Sequence, residues 1–174
     1  MAKKSKKTNL NFILLIVSAV LGVLATAMIF FPAFVGQAFV DLTISGSSDK
    51  LSFTGLQASF GFTEVTRFSE SITYTNEILT TNFFSLMSFF MPLIAVVFLV
   101  LFRDNKIVNY ICAGALISAG IFAFVSLNTF SGSIVDEIYK AYYDFKLGAG
   151  SVLCGIFSIS SGLVALAKIV ITNK

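Results

Sequence analysis

Four stretches of about twenty residues, 12–31, 83–102, 107–127 and 147–167, contain no Asp, Glu, Lys or Arg. At 1.5 Å per residue, a helix of that length crosses the ~30 Å hydrocarbon core of a bilayer. Helices buried in a water-soluble bundle need a polar stripe on their outward faces, and these segments carry none. The composition of the whole 174-residue chain agrees, with 56% hydrophobic and 12% charged residues where soluble domains have ~25% charged. Its mean hydropathy is +0.90. Such a composition excludes a disordered tail, a nucleic-acid binder and a disulfide-stapled secreted module. The expectation is one tetraspan domain over residues 1–174. Its fold class is an all-α integral membrane protein, a left-handed four-helix bundle with a small extracellular antiparallel sheet from the first outer loop.

Lys3, Lys4, Lys6 and Lys7 precede the first span, and Ala25-Thr26-Ala27 resembles a signal-peptidase site. The apolar run exceeds the ~7–15 residues of a signal-peptide core, so a retained span is expected. Charge then orients the bundle. The Lys-rich N-terminus, the turn at 103–106 and the C-terminal end carry eight basic residues against one acidic. Loops 32–82 and 128–146 carry four basic against eight acidic. By the positive-inside rule both termini are cytoplasmic, the two loops face outward, and the location is the plasma membrane.

In the first outer loop Val40, Leu42 and Ile44 alternate with polar residues, as do Leu51 and Phe53, then Leu56, Ala58, Phe60 and Phe62. Alternation predicts half-buried strands, joined by a turn at Gly46-Ser47-Ser48-Asp49. Phe68, Ile72, Ile78 and Leu79 predict a helical return into the second span. The candidate contact residues are Leu42, Ile44, Phe53, Leu56, Phe60 and Phe62. In the second loop Gly132 is expected to end the third span, with Ser133 and Asp136 capping a new helix. Ile134, Ile138, Tyr142 and Phe145 would mark its apolar face, and Asp136 and Lys140 an i,i+4 ion pair. That helix serves either as an interfacial anchor, with Tyr139, Tyr142 and Tyr143 at the headgroups, or as a partner-contact face.

The fourth span carries Gly148, Ser151, Gly155, Ser158, Gly162 and Ala165 at alternating steps of three and four. Small residues at that spacing form a seam along which helix backbones approach closely, with left-handed crossing. The seam lies either within one bundle or between subunits. Ser18, Gly22 and Thr26 repeat the idea in the first span, as do Ala115, Ala119 and Ala123 in the third. Pro92 removes the amide that would bond to Ser88 and is expected to kink the second span. Cys112 and Cys154 differ in depth by roughly 10 Å, beyond the ~7 Å reach of a disulfide, so both are expected to be buried free thiols.

The chain contains no His, which removes imidazole acid–base chemistry, Ser-His-Asp triads and His-ligated metals. Without a charged residue in the spans there is no carboxylate for ion coupling. No catalytic, metal or cofactor residue is assigned, and neither an enzyme nor a nucleic-acid partner is expected.

The order of parts resembles the claudin and peripheral-myelin-protein group of tetraspan proteins. Lys146-Leu147-Gly148-Ala149-Gly150, followed by Gly155 and Gly162, is similar to the glycine-rich entry of that family's fourth helix. Gly55-Leu56-Gln57 stands where claudins carry Gly-Leu-Trp. The resemblance implies four spans, both termini inside and a sheet built on the first outer loop. The expected function is non-enzymatic: lipid surrounds the spans, and the outer loops mediate self-association or contact with another membrane protein. The alternative is a subunit of an oligomeric channel or transporter whose Ser and Thr faces line a pore.

Overall fold

The computed structural model describes residues 2–38, 50–67, 73–135 and 137–173. Four long helices dominate: α1 (Ala2–Ala27), α3 (Phe83–Leu101), α4 (Lys106–Ser133) and α6 (Ala149–Asn173). Between them lie two short helices, α2 (Gly55–Phe60) and α5 (Glu137–Tyr142). The described residues also form five strands: β1 (Pro32–Ala38), β2 (Lys50–Thr54), β3 (Phe62–Arg67), β4 (Thr73–Leu79) and β5 (Tyr143–Leu147).

All four long helices have the length and composition to cross a membrane. Packing explains why apolar residues encircle them. α6 lies against α4 and α1, and α3 lies against the same two helices, so the four close into a ring. Only 28% of the apolar window of α1 is buried, and its outward face is Phe12, Ile13, Val17 and Val20. That surface suits hydrocarbon rather than water.

Both inter-helix segments, after α1 and after α4, build the main sheet, which differs from the expectation of a sheet from the first loop alone. β1 is its centre, in the antiparallel order β2-β1-β5. Phe34 stands opposite Phe53 on β2 and opposite Leu147 on β5. β5 leads directly into α6, and the Gly148 amide donates to the Ala33 carbonyl at 2.7 Å. The sheet thereby ties the end of α1 to the start of α6. An aromatic cluster seats it on the bundle: Phe34 stacks on Phe130 of α4 at 3.9 Å, with Phe53 and Phe145 around them.

Three further expectations are corrected. The alternating stretch after Phe53 is not all strand, because 55–60 forms α2 under a capping box. Gln57 N donates to Thr54 Oγ1, and the Gln57 side chain accepts from Thr54 N; satisfying two end amides together favours the turn of helix. The expected helical return is instead β4, paired antiparallel with β3, with Ile78 and Leu79 buried at the base of that hairpin. In the second loop α4 runs through Gly132 to Ser133. The expected helix shrinks to α5, and Tyr143 and Phe145 belong to β5. Lys140 bonds to Glu137 at 3.3 Å. The strand expected over 40–45, its turn at 46–49, Phe68, Ile72 and Asp136 lie outside the described residues.

Candidate functional site

The six seam residues of the fourth span are all buried within the single chain. They do not share one neighbour. Gly148 precedes α6 and packs against the Pro32 carbonyl, at the sheet junction rather than between helices. A Cβ at Gly155 would stand 2.6 Å from the Phe124 ring, and one at Gly162 would stand 2.9 Å from the Ala113 carbonyl. Both contacts lie on α4. Close approach of the α4 and α6 backbones includes a glycine outside the seam, since a Cβ on Gly120 of α4 would stand 2.8 Å from the Gly155 carbonyl. Ala165 joins the lower apolar core with Leu15, Val96, Leu99 and Leu116, and Ser151 and Ser158 are buried along the same helix.

Polar groups inside the bundle bond across helices. Ser18 Oγ on α1 donates to the Ser161 carbonyl on α6 at 2.9 Å, and Ser161 Oγ donates back to the Ser18 carbonyl at 2.7 Å. Cys154 Sγ donates to the Ser88 carbonyl on α3 at 3.3 Å. Both cysteines are free and buried. At the sheet end of the bundle Asn82 caps α3 through Ser85 N at 3.0 Å and bonds to Thr129 of α4 at 3.1 Å. In an apolar medium each such bond replaces an unsatisfied group, so these pairs fix which helix faces which.

Of the candidate contact residues, Leu42 and Ile44 lie outside the described residues. Phe53 is buried in the aromatic cluster and Phe62 is half-buried against it. Leu56 and Phe60 are exposed on one face of α2, with the Phe60 ring edge-on to Phe90 of α3 at 5.7 Å. A more open surface is the β3–β4 hairpin. Its base is pinned by Val135 N to the Ile78 carbonyl (3.0 Å) and Thr80 N to the Ser133 carbonyl (2.8 Å). Beyond the base, Val65 is 56% exposed, so a β-branched apolar side chain is presented on a two-stranded ribbon. The β-branched Thr63, Val65 and Thr66 could have marked that strand in the sequence.

At the opposite end of the bundle the α3–α4 turn closes a polar cleft. Asn11 of α1, Arg103, Asp104, Lys106, Asn109 and Lys168 line a space of about 150 Å³. The Lys168 ammonium donates to the Arg103 carbonyl at 3.0 Å, and Asn109 Nδ2 donates to the same oxygen at 2.9 Å. Three chain regions far apart in sequence contribute, so no local motif announces this cleft.

No family model, curated protein or solved structure matches the chain.

Proposed function

We propose that this chain is a non-enzymatic tetraspan protein of the cell membrane. Both termini are cytoplasmic, and its outer loops contact a second copy or another membrane protein. The observation that carries this reading is the β3–β4 hairpin. It stands on the outer end of four span-length apolar helices, pinned at its base. A two-stranded ribbon is marginal in water; among the described residues no third strand joins it beyond the Leu79–Ile134 bridge at its base, and its edges with Val65 suit strand addition by a partner. The span assignment is supported by the apolar outward faces of α1, α3, α4 and α6. The orientation is supported by eight basic residues against one acidic on the side of the termini.

Claudin-like proteins share this plan of four spans with a sheet on the first outer loop. The chain has no Trp, and both of its cysteines lie in the long helices rather than the outer loops. The proposal therefore takes the plan and leaves junction formation aside. Contact is favoured over a pore because Ser18, Ser88, Ser126 and Ser161 are buried and bonded within one chain rather than turned outward.

A photo-cross-linking amino acid at Val65, activated in native membranes, tests the reading. A discrete adduct is expected there, and none from the same probe at Ile13 on the lipid-facing side of α1. Absence of an adduct at Val65 would overturn the contact role.

A further inference from the structure

The cleft beneath the α3–α4 turn has the chemistry of an anion site with a second requirement. Among the described residues Arg103 and Lys106 bring two positive charges to it beside the carboxylate of Asp104, and Lys168 lines it with its ammonium bonded to the Arg103 carbonyl. Lys168 is 7% exposed, and Arg103 pairs with Asp104 at 3.6 Å. An excess of cations over carboxylates among the described lining residues, around about 150 Å³, several times the ~30 Å³ of one water, suits a multi-atom anion.

The amides add the second requirement. Asn109 is 4% exposed, and its Nδ2 is committed to the Arg103 carbonyl. That bond fixes the amide orientation, because the flipped form would set oxygen against oxygen. Its Oδ1 is buried with no partner, and so is Oδ1 of Asn11. Buried acceptors of this kind cost free energy until a donor reaches them. A phosphodiester satisfies the cations but brings no donor of its own to the amide oxygens; one whose head alcohol carries hydroxyl groups satisfies both.

We infer that the cleft binds the phosphate of a hydroxyl-bearing anionic headgroup, with Lys106, Arg103 and Lys168 facing the phosphate and the Asn11 and Asn109 oxygens accepting from the hydroxyls. The surroundings favour a lipid over a free phosphopolyol. Leu10, Leu101, Phe102 and Ile107 are exposed at the same end of the bundle, where acyl chains of a bound lipid would lie. Basic pockets between helices at a cytoplasmic membrane face recognise anionic lipids by this combination. The inference rests on the reading that the helices span a bilayer.

The test compares phosphatidylglycerol, phosphatidylcholine and glycerol 3-phosphate at equal concentration on the full chain purified from carbonate-washed membranes, read by native mass spectrometry and melting temperature. Phosphatidylglycerol should be retained and raise the melting temperature, whereas phosphatidylcholine and glycerol 3-phosphate should do neither. Lys106→Gln should lower phosphatidylglycerol occupancy about fivefold. Asn11→Leu should narrow its preference over a phosphatidate lacking the head hydroxyls, and Lys140→Gln, at the far end, should change nothing. Equal retention of both phospholipids would overturn the site, even with the protein firmly membrane-bound. Glycerol 3-phosphate acting as well as the lipid would overturn the lipid source and assign the cleft to a soluble phosphate. Loss of the protein in the carbonate wash would instead overturn the span assignment.

Discussion

The thiol of Cys154 on α6 donates to the carbonyl of Ser88 on α3 at 3.3 Å. Pro92, four residues after Ser88 and inside α3, has no amide hydrogen to give that carbonyl. The residue that breaks one helix's ladder thus creates an acceptor for another helix, and α3 remains continuous from Phe83 to Leu101.

A double-mutant cycle reads this relationship. Cys154→Ala should destabilise the protein by about 1–2 kcal/mol in detergent, from the lost bond and the small void. In a Pro92→Ala background the restored backbone amide serves the Ser88 carbonyl, so the same cysteine change should cost about 0.5–1 kcal/mol less. Equal costs in both backgrounds would show that the thiol bond and the proline are independent.

The Ser18–Ser161 pair predicts a different pattern. Each hydroxyl donates to the opposite backbone carbonyl, and the two oxygens lie 3.2 Å apart. Ser18→Ala and Ser161→Ala should each cost about 0.5–1 kcal/mol. The double variant should fall near their sum, because each single change leaves the reciprocal bond in place. A double variant no less stable than either single one contradicts this geometry. Melting temperatures of the three variants decide it.

Glycines on α4 separate close packing from helix propensity. Gly120→Ala would drive a methyl group into the Gly155 carbonyl, whereas a Cβ at Gly114 meets nothing within 4 Å. Gly120→Ala should destabilise by about 1–3 kcal/mol, and Gly114→Ala should stabilise by up to about 1 kcal/mol through propensity alone. Gly155→Leu should cost less than Gly162→Leu, since its three nearest obstacles are all atoms of the Phe124 ring, whereas Gly162 faces the Ala113 carbonyl and the Ile117 amide as well as the Ile117 side chain. In turn Leu153→Ile, at an exposed position, should cost least. If oligomer mass falls while the monomer's stability holds, the seam works between subunits.

How much of the fold is legible in the sequence varies with the physics behind each element. The four spans are readable because a run without charge has few alternatives, and the span-length apolar stretches Leu10–Phe30, Phe83–Leu101 and Ala149–Ile171 lie within a few residues of expectation, although the α1 helix itself starts at Ala2 and α4 passes Gly132. β1 carries no such signal. In Pro32–Ala38 burial follows neighbours on both sides and breaks at a bulge near Pro32, so no period of two shows. α2 mimics a strand because Leu56, Ala58 and Phe60 satisfy its alternation, although Thr54 and Gln57 carry the capping signal. For β5 two periods compete: Tyr143, Phe145 and Leu147 alternate with Asp144 and Lys146, but Tyr142 and Phe145 also fit helical spacing. The cleft is out of reach, since Asn11, Asn109 and Lys168 meet only after three helices have packed.

Sidedness is the central claim, because the contact role of the hairpin and the lipid role of the cleft both require opposite faces of one membrane. Cys112 and Cys154 are buried, so the unaltered chain should not react with a membrane-impermeant thiol reagent. Exposed reporters stand at Glu64 on β3 and at Asp104 in the α3–α4 turn. In intact cells Glu64→Cys should label and Asp104→Cys should not, while both should label after the membrane is opened. Labelling of Asp104→Cys in intact cells, with Glu64→Cys protected, would contradict the account.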